Sequence, residues 1–229
     1  MIWDYATAIL AAGSTTLLVA VSSLIVATLL GLAAAFAKLS GSVALRSLAG
    51  AYTFVVRGIP DLVVMLLVFY SLPALLNQGV DALGWDMRIE FSPIAAGIAT
   101  LGVIFGAYMT ETFKTALQNI SKGQVEAAIA YGLTRRRMFV RIMMPQLIRL
   151  ALPGFTNNWL VLAKGTALVS LIGLQDVMFR AKGAAEATAM PFTFYLVAAA
   201  FYLLLTMISI ALLSLAGRNF DVGIRKLSP

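Results

Sequence analysis

Residues 126–146, EAAIAYGLTRRRMFVRIMMPQ, place Glu126, Arg135, Arg136, Arg137 and Arg141 together between long apolar runs. Gln124–Tyr131 is helix-forming and stops at Gly132, the residue type that most readily takes the left-handed position after a helix. Thr134 is placed to cap a second helix over Arg135–Met144, which Pro145 is expected to close. Val125, Ala128, Ile129 and Gly132 recur at three- and four-residue spacing, so the first helix presents one stripe of mostly small side chains. The segment therefore reads as a compact helix-turn-helix insert, spanning 118–149, with a surface suited to close docking.

Outward from this insert the chain is oil. Of its 229 residues, 61% are hydrophobic and 12% charged, with a mean hydropathy of +0.92, well above the ~45–50% apolar content of soluble domains. Uncharged or nearly uncharged runs long enough to cross ~30 Å of hydrocarbon as helices occur repeatedly. We place spans at about 8–37, 50–76, 93–117, 150–174 and 192–216. The runs are continuous rather than alternating, which predicts an all-α polytopic membrane protein with one transmembrane domain over 1–229, not a barrel.

The chain contains no cysteine and no histidine, so disulfides, thiolate chemistry and imidazole sites are excluded. Its start, MIWDYATAIL, lacks the cationic region of a cleaved signal peptide, so the first span is expected to be retained. The net charge of +7 is unevenly spread. Lys38, Arg46, Lys114, Lys122, Arg135, Arg136, Arg137, Arg141, Arg149, Arg218, Arg225 and Lys226 fall on one side of five spans, and Arg88, Arg180 and Lys182 on the other. Positive loops stay inside, which predicts a cytoplasmic C-terminus and insert and an outside N-terminus. The positive charges lack the clustered face with stacking aromatics that nucleic acid requires, so no nucleic-acid partner is expected.

Arg57, Asp61, Glu111 and Lys164 lie within the expected spans. Each costs ~2.5–3.5 kcal/mol near a helix centre, so each should face the bundle interior with a partner. Arg57 and Asp61 are four residues apart on one helix and thus share a face, where an ion pair can form. By depth, Glu111 is level with Arg57, and an interhelical Arg57–Glu111 pair is expected. That would leave Asp61 for a cationic substrate, against the alternatives that it pairs with Arg57 or caps a helix restarting after Pro60. Lys164 is a candidate for a substrate carboxylate, with Asn158, Thr166 and Ser170 beside it, though interhelical hydrogen bonding explains those three as well. The segments 77–92 and 175–190 are candidate outer rims for a soluble partner.

Glu126-Ala127-Ala128, three residues, Gly132, nine residues, Ile142, one residue, Met144 and Pro145 resemble the EAA-x3-G-x9-I-x-L-P signature of permease subunits of binding-protein-dependent ABC importers, with Met144 at the Leu position. RGIPDL at 57–62, GAYMTETFK at 106–114, NNW at 157–159 and KGTALVSLIGLQD at 164–176 are similar to the polar amino-acid uptake branch, including the membrane subunits of histidine/lysine/arginine/ornithine and opine systems. The resemblance implies a type I importer permease fold in a bacterial inner membrane. It further implies a homologous second permease subunit, a cytoplasmic ATPase dimer holding ATP and magnesium, a periplasmic solute-binding protein, and a basic amino acid as substrate. Glu126, Ala127, Ala128, Gly132, Ile142 and Pro145 would then couple to the ATPase.

The chain itself has no Walker A phosphate loop, and no cofactor or metal of its own is expected. An ion-gradient transporter would instead carry inverted repeats, which we do not find between the halves. A membrane-embedded enzyme would need a carboxylate or Lys/Ser site, and Glu111 and Lys164 fall at different depths.

Overall fold

The computed structural model describes the backbone of residues 2–220 and the side chains of 2–217. Arg225 and Lys226, and the side chain of Arg218, lie outside the described residues. Among those described there is no strand, and five helical stretches are long and apolar enough to cross a membrane: Ile2–Leu39, Asp61–Ala82, Pro93–Gln118, Arg135–Ile172 and Pro191–Gly217.

The first stretch comprises α1 (Ile2–Ala11) and α2 (Gly13–Leu39), meeting at a bend at Ala12. Next come α3 (Val43–Gly58), then α4 (Asp61–Leu66), a π-helical turn (Leu67–Ser71) and α5 (Leu72–Ala82). The single second helix expected over 50–76 is thus divided at Ile59–Pro60. Pro60 has no N–H to give and forces Ile59 into extended backbone, at φ −107° and ψ 137°. The third span is α6 (Pro93–Gln118), opened by Ser92, whose side chain accepts from the Ala95 N–H.

The insert holds α7 (Lys122–Ala130) and α8 (Arg135–Met138). Pro145 does not end the second of these. α8 runs through a π turn (Phe139–Met143) into α9 (Met144–Gly165) and a 3₁₀ segment (Thr166–Ile172). The insert and the fourth span are therefore one continuous helical rod, where a break before 150 was expected. The segment 175–190, taken as an outer rim, contains α10 (Val177–Thr188). Its Val177, Ala181, Ala184 and Ala185 are buried with Ile9 and Phe194. The last span is α11 (Pro191–Phe220).

Close approach at small residues sets how the spans pack. A Cβ on Gly31 would lie 2.6 Å from the Met109 Cβ, and one on Gly102 would lie 2.5 Å from Val26 Cγ1. The two contacts advance together along both chains, so α2 and α6 run parallel. α9 runs antiparallel to α6, since Gly154 meets Thr112 while Gly97 meets Val169 in the 3₁₀ segment. Glycine lets backbones approach where the hydrophobic effect supplies no drive between helices already in lipid. α6 is accordingly the central rod, with Leu101, Ile104, Phe105 and Met109 buried.

Candidate functional site

Glu111 anchors a charged knot where α2, α3 and α6 meet. Lys38 Nζ donates to Glu111 Oε1 and to Thr53 Oγ1, and Lys114 Nζ lies 3.5 Å from Glu111 Oε2. The parallel packing of α2 on α6 brings the last turn of α2, and with it Lys38, beside Glu111. Arg57 therefore does not answer Glu111 as expected. Its exposed guanidinium sits over the Tyr108 ring, 5.2 Å from the centroid, a cation–π contact. The break at Pro60 also removes the shared helical face on which an Arg57–Asp61 pair depended. Asp61 stands in the first turn of α4, half-buried, with no ion pair or hydrogen bond among the described residues. A carboxylate in a first helical turn is favoured by the helix dipole, in keeping with the helix-restart alternative.

A polar cavity of about 590 Å³ opens beside this knot, lined by Glu111, Thr112 and Thr115 of α6, by Asn119 just past its end, and by Leu150 and Gly154 of α9. Sequence reasoning passed over Thr112, Thr115 and Asn119. Their signal was available, because 111, 115 and 119 recur at four-residue spacing and so form one polar stripe on a membrane-spanning helix. Asn158 belongs to the same region: its Nδ2 donates to Thr112 Oγ1 at 3.0 Å and lies 3.7 Å from Met109 Sδ. The cavity wall is not anionic, since Glu111 is flanked by two lysines.

The other expected substrate residues do not gather there. Lys164 is exposed and borders a separate cavity of about 370 Å³ with Met178, Tyr195, Ala198 and Tyr202. Thr166 is buried, donating to the Ala163 carbonyl at 2.7 Å, with its Oγ1 3.5 Å from the Tyr202 hydroxyl. Ser170 donates to the Ala167 carbonyl at 2.7 Å and borders a third cavity with Tyr70, Lys182 and Glu186. Asp61 lines none of these three. Thr166 and Ser170 thus spend their hydroxyls on their own helix, which is how hydroxyls are commonly satisfied in lipid.

Gly132 adopts φ +70°, and the Leu133 N–H reaches the Ala128 carbonyl at 3.0 Å while the Gly132 N–H reaches that of Ile129. This is the expected left-handed stop. Thr134 caps α8 by accepting from the Arg137 N–H. Ala128 is buried, where α7 packs on α8 and the π turn that follows it. Glu126, Ala127, Ile129, Tyr131 and Gly132 face out, with Tyr131 86% exposed. Ile142 is half-buried and Pro145 exposed.

Outside the membrane spans, Asp176 is fully buried and caps α10 by accepting from the Phe179 N–H at 2.8 Å. Its second oxygen has no hydrogen-bond partner among the described residues. Burial pushes its carboxyl up to about 6, against smaller lowering by the backbone N–H groups at the helix start.

A five-span helical bundle, built without strands in its described residues and carrying an exposed insert fused to its fourth span, defines a polytopic membrane component. The chain belongs to the family of binding-protein-dependent transport system inner membrane components, whose pattern it matches over residues 27–225. It is 45% identical over 226 residues to the histidine/lysine/arginine/ornithine transport system permease protein HisQ of Salmonella typhimurium, covering 99% of each chain. It is 38% identical to the octopine transport system permease protein OccQ of Rhizobium radiobacter, covering 98% of this chain and 94% of that one. Among solved structures it resembles a chain of an amino acid ABC transporter crystallised with histidines, with a TM-score of 0.78 and 29% identity over 94% of this chain and 95% of that one. It is a permease subunit of an amino-acid ABC importer, a transport component rather than a catalyst.

Proposed function

We propose that the chain forms, with a homologous second permease subunit, the membrane pathway of an importer for a cationic amino acid or opine. A periplasmic binding protein delivers the substrate, and a cytoplasmic ATPase dimer, which carries the ATP and magnesium, seats Glu126, Ala127, Gly132 and the exposed side chains between them. The N-terminus lies outside and the C-terminus inside, following the distribution of Lys and Arg. The reading rests on the unbroken helical run from Arg135 to Ile172. A displacement of the insert by the ATPase then moves the whole fourth span, and with it the α9 walls of the cavities flanking α6. Such a displacement shifts the transporter between states only if the ATPase binds the insert differently in each.

The substrate class follows from the relatives' names and from Asp61. Lys38 and Lys114 occupy Glu111, which leaves Asp61 as the carboxylate within the spans that is free to meet an incoming cation among the described residues. Lys164, with Asn158, Thr166 and Ser170, is the proposed counterpart for the substrate carboxylate, although Lys164 and Ser170 border different cavities in the single subunit. Asp61→Asn should abolish uptake of lysine or arginine by the reconstituted complex while subunit assembly is retained. Unchanged transport kinetics in that variant would overturn the assignment of Asp61.

A further inference from the structure

A crevice of about 260 Å³ lies between α2, α6 and α9, walled by Thr28, Leu32, Phe113, Met144, Ile148 and Phe155 among others. Its wall is almost wholly hydrocarbon and lies within the membrane-spanning helices, where an empty apolar space attracts an apolar guest rather than water. The crevice has a direction. Thr28, Leu32 and Phe36 follow one another at four-residue spacing on α2, and Phe36 meets Phe139 with ring centroids 6.2 Å apart. This pair lies on the insert side of the crevice, one helical turn beyond Leu32 on α2 and five residues before Met144 on the α8–α9 run.

Three to nine residues before Met144, on the same helical run that supplies Met144 and Ile148, stand Arg141, Arg137, Arg136 and Arg135, all exposed. None of the four makes an ion pair among the described residues. An apolar slot in the hydrocarbon layer thus leads into unneutralised guanidinium groups at its boundary. That sequence of chemistry, tail then anion, is the chemistry of an anionic phospholipid. Guanidinium forks suit phosphate oxygens, and basic pockets at the edge of transmembrane helices attract such headgroups.

We propose that this crevice seats an acyl chain of an anionic phospholipid whose phosphate lies on the arginines of the α8–α9 run. The lipid bridges α2 to the rod formed by the insert's second helix and the fourth span, so it occupies the seam along which that rod moves against α2.

The assembled transporter, purified in mild detergent and exchanged into nanodiscs of phosphatidylglycerol or phosphatidylcholine, provides the test, with retained lipid counted by native mass spectrometry. The wild type should retain phosphatidylglycerol in preference to phosphatidylcholine. Ile148→Trp should fill the slot and release the lipid. Because that variant can fail to assemble, Arg137→Gln and Arg141→Gln leave the slot intact and should each lower phosphatidylglycerol affinity about fivefold, the effect of one basic group near an anionic surface. Equal retention of the two lipids, unchanged retention in both arginine variants, or a cross-link from position 148 to another subunit of the complex would each overturn the proposal.

Discussion

Glu111 shows how a charge is kept inside a membrane protein. The Lys38 side chain is 12% exposed and that of Glu111 30%, so their pair is only partly desolvated, and Thr53 takes a further lysine proton. Removing the acid alone strands a largely buried ammonium. Glu111→Gln should therefore destabilise the subunit by about 1–3 kcal/mol, between the values for exposed and buried pairs. Adding Lys38→Met should recover part of that loss in detergent thermal melts. Additive losses would mean that the pair contributes nothing as a pair.

Asp176 is the second instructive residue. Its pKa is raised from the ordinary 3.8 to about 6. Between those values the folded state holds a proton that the unfolded chain has lost, so stability falls as pH rises from about 4 to 6 and levels off above. The change is on the order of 2–3 kcal/mol. Asp176→Asn keeps the cap oxygen for the Phe179 N–H and should flatten the melting temperature across that window. A slope unchanged by the substitution would assign the titration to another group. The sequence announced the acids within the spans but not their partners. Lys38 was counted among the loop charges, and only the close contact of Gly31 with Met109 brings it to Glu111.

At the level of elements, the two π turns share a cause. Leu67–Ser71 ends two residues before Pro73, and Phe139–Met143 ends two residues before Pro145. Each proline would press its ring on the carbonyl four residues back, that of Phe69 or Arg141, which is the middle of the π turn in both cases. A wider turn moves that carbonyl aside and lets the helix continue. This is why Pro145, read from sequence as a stop, lies inside a continuous rod. Gly132 and Thr134 were legible because their roles are local, a left-handed stop and a cap. The π turn was not, because a proline's effect depends on whether the preceding turn widens. Pro145→Ala should let the turn tighten to ordinary α-helix, rotating the insert by about 100° against the span, one residue's worth. We expect a melting temperature no lower than wild type with strongly reduced uptake. Full uptake would show that the insert's facing does not matter.

Over the whole molecule, the exposed side chains Leu29, Leu203, Met207 and Leu212 face outward from the spans, and the polar cavity beside Glu111 borders the central α6. Five apolar stretches, their helical nature and the cationic insert were all readable from composition and run length. α10 was not, since its amphipathicity is weak and its place is set by Ile9 and Phe194 from distant parts of the chain. The substrate residues were least legible, for Lys164 and Ser170 border separate cavities while Asn158 and Thr166 are held by hydrogen bonds within the bundle.

The proposed role of the insert, a handle rigidly joined to the fourth span, is most exposed to attack at Gly132. At φ +70° a β-branched residue is strained by about 1–2 kcal/mol, enough to unseat the turn between α7 and α8 without touching the bundle. The direct measurement is the number of amino-acid molecules taken up per ATP hydrolysed by the full complex in liposomes, wild type against Gly132→Val. A mechanical handle predicts that the ratio drops sharply while the complex still assembles. A Gly132→Val transporter that pumps at the wild-type ratio and rate would contradict the account.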